Sequence, residues 1–167
     1  MALWKKLVLL AAGILIGMPV LLHGIWRAGF WVDNYFYAKR LFDDVVHYDR
    51  VLGSRRWFTT GIGCSYAIVE LSVEAPFEPP APKPVEDVKL DSSFYSFGGD
   101  WRPTPDPSLS DIFEQWYLCE EELGEQTYGS LRTAAAVSGG WWRRAEGGIF
   151  QVYSRPNGLA FILYEGD

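Results

Sequence analysis

The chain has 167 residues, 49% apolar and 16% aromatic, with 15 Lys or Arg against 21 Asp or Glu. This content sets aside a disordered tail, which cannot bury enough apolar surface to order itself, and calls for a packed domain. From Leu41 onward there are ten Lys or Arg against twenty Asp or Glu, a formal charge of −10 that sets aside a nucleic-acid backbone as partner.

Residues 7–26 form an apolar run with no formal charge between Lys6 and Arg27. Twenty helical residues span about 30 Å, the thickness of a bilayer's hydrocarbon core, so residues 1–30 are predicted to be a transmembrane anchor. Trp4 at one end, and Trp26, Phe30 and Trp31 at the other, have rings suited to headgroup depth. A cleaved signal peptide is the rival reading. Its apolar region is usually about 7–15 residues long and is followed by small residues, whereas this run ends His23-Gly24-Ile25-Trp26-Arg27. Lys5 and Lys6 flank one end while Arg27, Lys39 and Arg40 lie near the other, so the positive charges nearly balance. The signal-like order, a short basic start and then an apolar run, places the N-terminus inside and the bulk of the chain on the exported, periplasmic or extracellular, side. Gly13 and Gly17 have the spacing that lets two membrane helices meet, which makes them candidates for a homodimer seam. Scattered small residues are the simpler account. Pro19 is expected to kink the helix, and His23 lacks the ionisable neighbours that a proton relay in the membrane needs.

Across 31–53 the apolar residues Tyr35, Phe36, Ala38, Leu41, Phe42, Val45, Val46, Tyr48 and Leu52 recur at helical spacing, with Asp33 as N-cap and Gly53 as the stop. A second, amphipathic, membrane-proximal helix is predicted there. Its polar side carries Asp43, Asp44 and His47. A solvated helix face explains those three more simply than a metal or acid–base site does.

Residues 54–167 are predicted to form one α+β domain. Residues 64–73 read as a strand through Tyr66, Ile68, Val69, Leu71 and Val73, and Gly61-x-Gly63 before it as a turn without the remaining signature of a phosphate loop. Five prolines in 75–84 make a stiff surface loop, either a connector or a ligand for a proline-reading groove. A short aromatic strand over 92–97 and a second proline-rich loop over 98–107, around Trp101, follow. From Ser108 or Ser110 a helix is expected to run to Leu123, capped by a hydroxyl and stopped by Gly124. Its apolar face holds Ile112, Phe113, Trp116, Tyr117 and Cys119, and its end is acidic at Glu120, Glu121 and Glu122. One or two helical turns are read over 130–137. Three strand-like runs at 141–145, 149–154 and 159–164 then make a C-terminal antiparallel meander, its last turn being Arg155-Pro156-Asn157-Gly158. The fold expected is an antiparallel sheet packed by helices.

The two cysteines, Cys64 at the start of a strand and Cys119 on the inner face of a helix, are a candidate disulfide if the domain is exported and two buried thiols if it is not. No Cys-x-x-Cys or Cys/His cluster calls for zinc, and no cofactor is implied. His47 is the one histidine beyond the anchor, and no serine or cysteine sits in a nucleophile-elbow sequence. Carboxylates abound without a distinguishing context, which leaves a carboxylate-dependent hydrolase as the least favoured reading. The expectation is therefore a single-pass, acidic, non-catalytic domain that binds a protein with a basic surface, as an envelope accessory factor or a neutraliser of a basic effector would. The alternative is a small-ligand or carbohydrate-binding module built from exposed Trp57, Trp101, Trp141 or Trp142, against the plainer role of indoles in a core.

Overall fold

The computed structural model describes residues 2–57, 63–81, 97–145 and 148–166, with side chains from residue 13 onward. The chain divides into two compact units, Met1–Asn34 and Tyr35–Asp167. Helix α1, Ala2–Phe42, makes up the first and opens the second. In the first unit the apolar side chains stand in open space, Leu15 at 75% and Ile16 at 69% exposure among them. This helix is long and apolar enough to cross a membrane. At Gly13 and Gly17 a Cβ would meet nothing within 4 Å, so the backbone there is bare.

In the second unit, α1 buries Tyr37, Ala38, Leu41 and Phe42 and then stops. Asp44 takes a left-handed φ of 64°, a conformation that Asp tolerates better than most residues, while the amides of Val45 and Val46 turn back onto the Phe42 carbonyl. The amphipathic helix expected to reach Gly53 is thus corrected. Helix ends at Phe42, and Tyr48–Arg55 is an extended strand, β1. Register shifts after Tyr48 and after Val51 break the alternation of β1, and its apolar residues consequently fall at spacings that imitate a helix.

The other strands are β2 (Gly63–Leu71), β3 (Arg102–Pro103), β4 (Trp141–Arg144), β5 (Phe150–Ser154) and β6 (Leu159–Gly166). They form one antiparallel sheet in the order β1-β2-β6-β5-β4-β3. The meander is as expected, with Arg155–Gly158 as a four-residue connection and Gly158 at φ 63°. Residues 92–96 of the aromatic strand expected over 92–97 lie outside the described residues.

Apolar side chains cover both faces of the sheet. On one face Ala67, Val69, Tyr153, Ala160 and Ile162 pack with Phe97 and the end of α1. On the other Ile68, Trp142, Phe150, Val152, Phe161 and Leu163 pack beneath three helices: α2 (Ser108–Gln115), α3 (Tyr117–Leu123) and α4 (Glu125–Ala136). With both faces covered, β2 is a nearly continuous buried run, which is why it reads so plainly in the sequence.

The helix expected over 108–123 is broken at Trp116, whose backbone leaves helical geometry at φ −101° and ψ 54°. Tyr128 compensates. Its hydroxyl donates to the carbonyls of Phe113 at 2.7 Å and Trp116 at 3.1 Å, which otherwise hold only the long bonds from the Trp116 and Glu120 amides, at 3.3 and 3.4 Å. Nor is α2 capped by its own serines. Asp106 accepts from the Ser108 amide at 2.9 Å and the Ser108 hydroxyl at 2.7 Å, and these bonds hold its carboxyl below the ordinary range. Gly124, at φ 77°, ends α3 and at once begins α4, so the turn or two expected over 130–137 is the second half of a twelve-residue helix.

Candidate functional site

The helical layer is acidic. Between residues 104 and 140 there are seven Asp or Glu and one basic residue, Arg132. Apolar positions face the sheet and leave Asp111, Glu114, Glu120, Glu121, Glu122 and Glu125 exposed. Glu122 is tied down by an ion pair with Arg55 of β1, whereas Glu120 and Glu121 extend from the outer side of α3. Below them Cys64 and Cys119 form a disulfide, their Cα atoms 5.0 Å apart and both residues fully buried, as the packing of the helix over the strand requires. Glu165 on β6 accepts the Cys119 amide at 2.9 Å. Burial raises its carboxyl pKa, and the amides of Cys119 and Leu118 oppose that rise.

The tryptophans do not form one groove. Trp142 is 3% exposed, with Phe150 6.1 Å away and the Arg102 guanidinium 5.3 Å from its ring, and belongs to the core beneath the helices. Trp101 and Trp141, half-buried, lie on the opposite face around Phe97 and Tyr153. Trp57 is half-buried against Gly63, where any Cβ would collide with its ring. Trp101 donates from Nε1 to the Pro80 carbonyl at 3.0 Å. The Tyr153 hydroxyl bonds the Pro76 carbonyl, and Arg155 bonds those of Val73 and Ala75 at 2.6 and 2.8 Å. The start of the first proline-rich loop is thus a connector held through its carbonyls, the groups that proline keeps when it loses its N–H.

One group on that face escaped the sequence reading. Arg143 pairs with Gln151 across β4 and β5, on the side of the sheet that carries Trp141. Gln151 is fully buried and accepts the Gly98 amide at 3.1 Å. That bond lays the Gly98–Gly99 backbone over Arg143 so closely that a Cβ at Gly99, whose φ is 127°, would lie 1.8 Å from Nη1. Burial lowers the guanidinium pKa, and the charge of Asp100 acts against that shift. No ion pair or hydrogen bond to the guanidinium occurs among the described residues. The alternation of a strand over 141–145 places Trp141 and Arg143 on one face, but nothing in the sequence shows that a loop more than forty residues earlier lies on top.

Asp43, Asp44 and His47 lie in the turn after α1 rather than along a helix, and the Asp43 carboxylate is engaged by the Tyr48 hydroxyl. Among the described residues no three His, Cys, Asp or Glu side chains converge as metal ligands would. Compared with known proteins, the chain matches no family model, no curated protein and no solved structure.

Proposed function

We propose that the chain is a single-pass membrane protein that holds an acidic, non-catalytic interaction domain on the exported side, where its helical layer binds a protein with a basic surface. The observation that carries this reading is the charge of that layer, with six exposed carboxylate residues and Arg132 as the opposing base. Potentials of one sign over a rigid surface steer a partner of opposite sign and reject like charge. The apolar N-terminal helix supports the anchor, and the disulfide supports the exported side, because such bonds persist in oxidising compartments. Gly13 and Gly17 supply a seam through which two copies can pair in the bilayer.

Two measurements test the reading. A reporter active on one side of the membrane, fused at Asp167, should signal from the exported side, and a cytoplasmic signal would refute the orientation. The full chain in nanodiscs of zwitterionic lipid should bind a lysine-rich helical peptide with an affinity that falls as salt rises. Glu120→Gln with Glu121→Gln and Glu125→Gln should weaken that binding about tenfold, on the basis of roughly 0.5 kcal/mol for each rim charge. Equal binding by the triple variant would move the interaction away from this layer.

A further inference from the structure

We infer that the Arg143 guanidinium, with the Gly98–Gly99 backbone lying over it, is a binding site for a carboxylate. Three features of the site lead to this. The guanidinium is half-buried yet engages no acceptor among the described residues, whereas groups of this kind, once withdrawn from water, are ordinarily paired. It is also held in place rather than free to extend into solvent, with Gln151 beside it and a backbone above it that only glycine allows so near. A planar fork of donors fixed in this way matches the two oxygens of a carboxylate. Finally, Asp100 is the charge that acts on the site, and its repulsion favours a singly charged ligand over a phosphate dianion. Trp141 on the same strand face, and Trp101 after the same loop, offer indole surface to an apolar body attached to the carboxylate. This site lies on the opposite side of the sheet from the acidic layer and does not depend on which partner that layer takes.

The test follows the Arg143 Nε–Hε resonance of the full chain in nanodiscs of zwitterionic lipid while benzoate, benzamide or inorganic phosphate is added. Benzoate should move that resonance saturably and benzamide should not. Phosphate should bind more weakly than benzoate. By change in tryptophan fluorescence, Arg143→Gln should lower benzoate affinity at least tenfold, and Arg143→Lys, which keeps the charge and loses the fork, severalfold. Asp100→Asn should raise affinity, because it removes the competing charge. If Arg143→Gln does not fold, Arg143→Lys and Asp100→Asn decide the matter. The inference is overturned if benzoate gives no saturable shift, if benzamide or phosphate binds as well as benzoate, if Arg143→Lys binds like the parent, or if Asp100→Asn weakens binding.

Discussion

Phe150 shows what single side chains do in this molecule. It is fully buried, and Phe113, Trp116, Trp142 and Phe161 surround it with ring centroids 5.4 to 6.1 Å away. Phe150→Ala should cost about 3–5 kcal/mol in denaturant unfolding, since four rings cannot all collapse into the space it leaves. Tyr128→Phe keeps the ring and removes the hydroxyl that bonds two carbonyls at the α2–α3 break, while each carbonyl keeps its amide donor, so a loss of about 0.5–1.5 kcal/mol is expected. Burial also sets the alkaline limit of the fold. Tyr66, Tyr128 and Tyr153 are held above the ordinary phenol range by burial, and Tyr48 is pushed up to about 12 by burial and then by its bond to Asp43. The unfolded chain releases these protons near pH 10 while the folded chain keeps them. Stability should therefore be fully present below pH 10 and fall as pH rises from 10 toward 12. Absorbance of tyrosinate during a pH titration, compared with the same titration in denaturant, would check the sign.

At the scale of elements the disulfide is the clearest test. It joins residues 55 apart, and the chain-entropy account assigns about 4 kcal/mol to closing such a loop. Cys64→Ala with Cys119→Ala should lower the unfolding free energy by a comparable amount, and an unchanged midpoint in denaturant would contradict that. This bridge was legible in the sequence because a strand start and an inward helix position both carried cysteine. The meander was legible because turn residues separate its three runs, and β2 because apolar residues predominate on both sides of its pleat. By contrast, β1 was not, since two bulges hid its period, and α2–α3 read as one helix because the group that supports its break, the Tyr128 hydroxyl, comes from a later helix. The candidate site divides in the same way. Strand alternation foretells that Trp141 and Trp142 face opposite ways, whereas the setting of Arg143 depends on a long-range crossing by Gly98 and Gly99.

At the scale of the whole molecule, the second unit begins inside a helix. A chain cut to residues 35–167 keeps Tyr37, Ala38, Leu41 and Phe42 and should fold as a soluble domain. A chain cut after Phe42 loses all four from the core. At about 1.5–3 kcal/mol for each large side chain, that loss approaches the whole stability of a typical domain. Circular dichroism and thermal melts of the two fragments should show one cooperative transition and none, respectively. The sheet order has a further consequence, in time rather than in energy. Of the six strands, β6 comes last in sequence but stands in the middle, between β2 and β5. A ribosome adding about 5–20 residues per second needs roughly 4–18 s to pass from the end of β2 to the start of β6. Throughout that interval the inner edge of β2 and its face beneath the later helices, with Cys64 and Ile68, wait for their partners, while the opposite face has the end of α1. The newborn chain is therefore one that a holding chaperone should grip for seconds, and a stall in synthesis before Leu159 should leave a product fit only for proteolysis.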